Sequence, residues 1–108
     1  MSIRMRIVQQ FDATKEKQFL MLEKKFAQLE SARPDYPKGR RLKPISSCEP
    51  CNTLIWESDF PNIESAYKAL DFFSGDASHE VLLEKQLPFF KQVKVEFYEE
   101  LNLKADDL

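Results

Sequence analysis

Between Phe11 and Phe19 the spacing of apolar side chains changes from two to three and four, and only a strand running into a helix satisfies both halves. Upstream of the switch, Ile3, Met5, Ile7, Gln9 and Phe11 alternate with Arg4, Arg6, Val8 and Gln10, which predicts a strand over 3–11 with two unlike faces. Downstream, Phe19, Leu22, Phe26 and Leu29 fall three and four apart and predict an amphipathic helix over about 15–32. Asp12 and Thr14 are suitable N-caps for that helix, Pro34 and Pro37 end it, and Gly39 offers a turn into the next element.

The rest of the chain divides the same way. Residues 40–46, RRLKPIS, are short, basic and interrupted by Pro44, so they read as an edge or irregular strand. CEPCN reads as a compact turn, after which Leu54, Trp56, Ser58 and Phe60 alternate with Thr53, Ile55, Glu57 and Asp59 in a third strand. Asn62 caps a helix that runs to about Phe73 with Ile63, Ala66, Ala69, Leu70 and Phe73 on its apolar side, and Ser74-Gly75 breaks it. A further helix begins near Ala77, capped by Asp76 or Ser78, carries Val81, Leu82 and Leu83, and stops near Pro88. Val93, Val95 and Phe97 then alternate with Lys94, Glu96 and Tyr98 in a last strand, with a polar tail from about 101.

The order β-α-β-β-α-β, with its second helix split, predicts a ferredoxin-like α+β fold in which helices cover one face of a four-stranded antiparallel sheet. The uncovered face would carry Val8, Thr53, Ile55 and Tyr98 among Arg4, Arg6, Glu57, Asp59, Lys94 and Glu96. Opposite charges on such a face can pair across a twofold axis, which makes a homodimer the expected assembly.

At 108 residues, the expectation is a single domain over 1–108. A formal net charge of −2 gives no overall attraction to nucleic acid or anionic lipid, so neither is an expected partner. The opening MSIRMRIVQQ lacks the continuous apolar stretch of a signal peptide, no run elsewhere reaches membrane-spanning length, and a cytoplasmic location is the default expectation. There Cys48 and Cys51 are expected to be reduced thiols.

The element layout, and in particular the closing stretches DASHEVLLEKQLPFF and VKVEFYEEL, resembles the dimeric α/β-barrel superfamily and within it the antibiotic-biosynthesis-monooxygenase-like domains. The resemblance covers nearly the whole chain but rests on apolar patterning without an invariant signature. It implies two sheets packed face to face in an obligate homodimer, and a range of activities from cofactor-free monooxygenases on aromatic polyketides to haem-degrading enzymes and isomerase-like proteins. In the haem-degrading relatives the histidine at the place of His79 would hold iron, with an Asn on the first strand and a Trp on the preceding helix. Here those two places hold Gln9 and Ala69 or Leu70, so only the histidine carries over and haem degradation is not implied.

Two polar residues interrupt the helix-facing side of the sheet, Gln9 and Ser58. Burying an amide without partners costs about 1–3 kcal/mol, so Gln9 is either bonded internally or lines a wet cavity. Such a cavity between sheet and helices would take a small apolar or aromatic molecule, with Gln9 and Ser58 orienting its polar group and Trp56, Phe73 and Phe97 as walls. His79, the only histidine, sits in the first turn of a helix, whose positive end favours the neutral imidazole that a base requires, and is the candidate catalytic residue. Without any nucleotide or metal motif, and with only two glycines to build a phosphate loop, no cofactor is expected. A reaction through a stabilised carbanion, as in a cofactor-independent monooxygenase or an isomerase, fits that expectation; a non-enzymatic binding protein is the alternative. Cys48-Glu-Pro-Cys51 precedes a strand, not the helix N-terminus that activates a redox pair, and two thiols plus one distant histidine fall short of a zinc site, which leaves a thiol or metal sensor as the third reading. The cluster Lys38, Arg40, Arg41 and Lys43 is expected to charge the edge strand and pair with neighbouring carboxylates.

Overall fold

The computed structural model describes residues 2–103. Strands β1 (Ile3–Phe11), β2 (Arg40–Leu42), β3 (Thr53–Phe60) and β4 (Phe90–Glu99) form one antiparallel sheet in the order β2-β3-β1-β4. Helices α1 (Glu16–Ala32), α2 (Ile63–Gly75) and α3 (Ala77–Gln86) pack on one of its faces, giving the ferredoxin-like arrangement that the change of period predicts. Single-turn 3-10 segments, Ala13–Lys15 and Leu87–Phe89, lead into α1 and out of α3. Among the described residues no helix is long and apolar enough to cross a membrane.

The 3-10 turn ahead of α1 and the starts of α2 and α3 are each capped by a side chain that the sequence makes conspicuous. Asp12 accepts from the Thr14 amide (3.0 Å), Asn62 from the Ser65 amide (2.8 Å) and Asp76 from the His79 amide (3.0 Å). Each cap satisfies a donor that the first turn of a helix leaves free.

The helix-facing register is the expected one, with Met5 opposite Ser58 and Phe97, Ile7 opposite Trp56 and Val95, and Gln9 opposite Leu54 and Val93. Two apolar clusters hold the helices down. Met5, Trp56, Ala66 and Ala69 form the first beneath α2, where the two alanines allow close approach to the sheet. Phe11, Phe19 and Leu54 form the second beneath α1, with Phe11 and Phe19 stacked at 4.5 Å. Close to the second cluster the β1–β4 register slips between Gln10 and Phe11, a bulge immediately beyond Gln9.

Two expectations need correction. The second strand, expected over 40–46, is paired only over Arg40–Leu42, because Pro44 has no amide to continue the ladder. CEPCN is not a tight hairpin turn: it belongs to a connection, 43–52, drawn across the face that carries no helix. Lys94, on a strand two places from β3, donates to Glu49 at 2.6 Å, and the Asn52 amide donates to the Phe11 carbonyl at 2.6 Å. Val8 and Thr53, expected to lie open on that face, are accordingly 3% and 1% exposed.

The charges of the same face pair within the chain. Arg4 meets Asp59 at 2.8 Å, and Glu57, itself 2% exposed, accepts from Arg6 (2.8 Å) and Arg40 (2.7 Å). Burial alone would push the Glu57 carboxyl up, but these two guanidinium groups hold it below the ordinary carboxylate range.

Gly39, just before β2, lies against the indole of Trp56, and a methyl group there would sit inside van der Waals contact of the ring. Overpacking of this kind costs about 1–3 kcal/mol. Gly39→Ala is expected to lower the unfolding free energy by that amount, seen as a lower urea midpoint at unchanged m value; an unchanged midpoint would show that the ring has room to retreat.

Candidate functional site

The two apolar clusters do not close on each other. Between them, under the helices, lies a cavity of about 390 Å³, within the size range of small-molecule sites. Ile7, Trp56, Phe90 and Val93 floor it from the sheet, Phe26 projects from α1, Leu70 and Phe73 from α2, and Leu83 from α3. Leu87 and Val93, 54% and 48% exposed, are at the rim, where β4 runs beyond the cover of the helices.

One wall is charged. α1 buries Phe19, Glu23, Phe26 and Glu30, so two carboxylates share the stripe that faces the sheet. Arg41 from β2 reaches between them, its Nε donating to Glu23 Oε1 at 2.8 Å and its Nη2 to Glu30 Oε1 at 3.4 Å. Gln86 Nε2 donates to Glu23 Oε2 at 3.1 Å, Trp56 Nε1 to Glu30 Oε1 at 3.1 Å, and the Gly39 amide to Glu30 Oε2 at 3.3 Å. Every carboxylate oxygen is thus met by a donor, as burial requires. The arrangement still sets two carboxylates against one guanidinium.

His79 enters from the start of α3. Its ring stacks on Phe73 (centroids 5.0 Å, planes 24° apart) and leans on Phe26 at 5.1 Å. Nδ1 is buried with no hydrogen-bond partner, which leaves Nε2 as the nitrogen able to meet a ligand. Burial holds the imidazole below its ordinary value of 6.5, against the opposing pull of Asp76, Glu23 and Glu80 and the weaker one of the Phe73 carbonyl. The neutral form expected from the helix start is therefore favoured chiefly by desolvation. Tyr36, also on the wall, has its phenol pushed up by burial and then by Asp76 and Glu30.

Gln9, the interruption in β1, is 8% exposed, and its amide has no hydrogen-bond partner among the described residues; it lines the cavity instead. Of the residues singled out from the sequence, Gln9, Trp56, Phe73 and His79 therefore come together around one space. Ser58 and Phe97 do not line it. The Ser58 hydroxyl donates to the Lys38 carbonyl at 2.5 Å, beyond the far side of Trp56, because its place on β3 lies under the segment that leads into β2. Phe97 packs against the first apolar cluster and against Tyr67, which closes that end of the sheet. Cys48 and Cys51 are free and exposed in the 43–52 connection, and among the described residues no three potential metal ligands gather anywhere. Three of the basic cluster pair with carboxylates as expected, Arg40 on Glu57, Arg41 on Glu23 and Glu30, and Lys43 on Glu16, whereas Lys38 donates instead to the Glu30 and Arg33 carbonyls at the end of α1.

Glu23, Glu30, Arg41 and Gln86 were not legible as site residues. The available signal was the spacing Phe19, Glu23, Phe26, Glu30, four, three and four, in phase with two core phenylalanines; reading Leu22 and Leu29 as the apolar partners displaced the stripe by one position. Leu22 and Leu29 are only half-buried, flanking that stripe.

Against solved structures the whole chain superposes on proteins of one architecture. An uncharacterized NIPSNAP domain protein from Burkholderia xenovorans aligns over 98% of this chain and all of its own, with TM-score 0.75 and 14% identity. A NIPSNAP family protein from Agrobacterium tumefaciens aligns over 97% of this chain and 98% of its own, with TM-score 0.77 and 8% identity. SnoaB, a cofactor-independent oxygenase from Streptomyces nogalater, aligns over 96% of this chain and 97% of its own, with TM-score 0.62 and 7% identity. The chain has the ferredoxin-like α+β fold of these structures. NIPSNAP proteins and antibiotic biosynthesis monooxygenases are both among the structures of this fold, and identities this low carry the fold alone. No protein-family model matches the sequence, and no curated protein matches it.

His79 makes a pH dependence visible. Because its folded value lies below 6.5, the unfolded chain binds more protons as the pH falls through 6.5, so this contribution to stability is complete above that value and declines below it. The ring protons of the sole histidine are expected to titrate with a midpoint below 6.5, and stability is expected to fall between about pH 7 and about pH 5.5 less steeply in His79→Gln than in the parent. A midpoint at or above 6.5 would contradict the burial argument.

Proposed function

We propose that this chain is a subunit of a small homodimeric barrel that binds an apolar or aromatic molecule between sheet and helices and removes an acidic C–H proton from it. The observation that carries this reading is a largely apolar cavity of about 390 Å³ that contains a neutral histidine with one free nitrogen. With Nδ1 buried and without a partner, Nε2 is the ring nitrogen left to take the proton. The aromatic walls place a flat molecule against the imidazole, and the Gln9 amide, still without a partner, supplies a donor for a carbonyl oxygen on which charge gathers as the proton leaves.

Two outcomes share that first step. Return of the proton to another carbon is an isomerisation. Capture of dioxygen by the carbanion, then loss of water from the resulting hydroperoxide, converts a CH₂ into a carbonyl and needs no prosthetic group. The likeness to SnoaB supports the second by analogy of fold. The exposed Tyr98 and half-buried Ile55 on the sheet face without helices, and the dimeric barrels that share this fold, support the homodimer.

Native mass spectrometry before and after denaturation tests both parts. A dimer that carries a small organic molecule and releases it on unfolding is expected; a monomer would contradict the barrel assembly. The molecule so identified, incubated with the protein in D₂O, is expected to gain deuterium at its acidic carbon, and His79→Ala to slow that exchange about 100-fold while binding persists. Exchange at the parental rate would remove His79 as the base and favour a binding protein without catalysis.

A further inference from the structure

The charged wall goes beyond what a purely apolar ligand requires. Glu23 and Glu30 are 7% and 8% exposed; among the described residues the only cation paired with their carboxylates is Arg41, while Lys38 donates to the Glu30 main-chain carbonyl. Removing charge from water is costly and is recovered only where each charge is matched, and the ion pairs of this wall leave a formal excess of one negative charge beside an empty space. The carboxylates face the same space as Tyr36 and His79: Glu30, and less strongly Glu23, disfavour ionisation of the Tyr36 phenol against the opposing pull of Arg41, and Glu23 favours the imidazolium form of His79. A second observation points to a ligand independently: the Gln9 side chain, 8% exposed, lines the same space and makes no hydrogen bond to a described residue.

We infer that the molecule bound here carries a protonated amine on an aromatic or similarly flat body, the ammonium seated against Glu23 and Glu30 and a neutral polar group against Gln9. This rests on the reading of the cavity as a small-molecule site and names the class of ligand. Each carboxylate oxygen has acceptor capacity beyond the donors it already meets, since a carboxylate offers about four acceptor positions. Glu23 receives two donors, from Arg41 and Gln86, and is the one with most capacity left. Phe26 and Phe73, on either side of the His79 ring, present aromatic surface to the body of such a ligand. A carboxylate-bearing ligand would instead set a third negative charge beside the pair. An ammonium near the reacting carbon also favours loss of its proton, so the charge preference and the proposed chemistry support each other.

The test is isothermal titration calorimetry at pH 7 with three matched probes: 2-phenylethylamine, 2-phenylethanol and phenylacetate. The expected order is amine tightest, alcohol weaker by about tenfold, and acid weakest. Glu23→Gln brings the wall to formal neutrality, and its amide oxygen can still meet Arg41 while Gln86 turns its own oxygen to the new amide group. The variant is expected to unfold cooperatively and to lose the preference for amine over acid by about tenfold. Should it fail to fold, the order of the three probes on the parent protein decides the matter alone. Equal binding of amine and alcohol, or tighter binding of phenylacetate, would overturn the charge inference and leave the cavity as a ligand site. Binding of none of the three at millimolar concentration would overturn the ligand site itself, and the inference with it.

Discussion

Arg41 between Glu23 and Glu30 is the contact on which the rest of the helical layer depends. It ties a three-residue edge strand to two successive turns of α1, and through Trp56 and Gln86 it extends to β3 and α3. A network of this kind is a poor source of net stability, because apolar residues of similar volume would avoid the desolvation cost. What it does is join α1 to β2, β3 and α3 through polar contacts. The apolar cluster under α2 and the one under α1 then stay apart, and the space between them remains open. A helix with Leu at 23 and 30 would be free to settle onto Trp56 and fill that space.

The two faces of the sheet treat charge in opposite ways. On the helix side a small excess of negative charge is retained and turned towards a cavity. On the other side Arg4, Arg6, Arg40 and Lys94 each find a carboxylate within the chain, and the 43–52 connection lies over one end. A face whose ion pairs are already formed meets a copy of itself without stranding a charge, and what it then offers for burial is the apolar and aromatic surface of Ile55 and Tyr98.

The fold was legible because its signals are local and agree with one another: the period-two runs in β1, β3 and β4, the caps Asp12, Asn62 and Asp76, and the prolines at the helix ends all point to the same order of elements. The site was legible where a polar residue breaks an apolar strand pattern, as at Gln9, or where a residue type is unique, as with His79 and Trp56. It was not legible where recognition depends on neighbours far along the chain. Glu23 and Glu30 look like solvated helix residues until Arg41, Trp56 and Gln86 are seen to meet them, and amphipathic helices place acids on the exposed side far more often than beneath it. Ser58 breaks its strand just as Gln9 does, yet it only ties β3 to the Lys38 carbonyl. Phe97 has the right face and the wrong end of the strand. An interruption in a pattern marks a position under constraint without saying which neighbour imposes it.

The indole of Trp56 joins cavity and charged wall, since it lines the one, donates to Glu30 in the other and is the only indole in the chain. Its ¹H–¹⁵N resonance, monitored while 2-phenylethylamine is added, is therefore the most direct test. A single, dispersed, slowly exchanging indole signal that moves on titration, while the resonances of the 43–52 connection stay in place, is the predicted result. An indole signal at the solvent-exposed position, or one that does not respond to the amine, would contradict a ligand cavity walled by Trp56 and the Glu23–Arg41–Glu30 network.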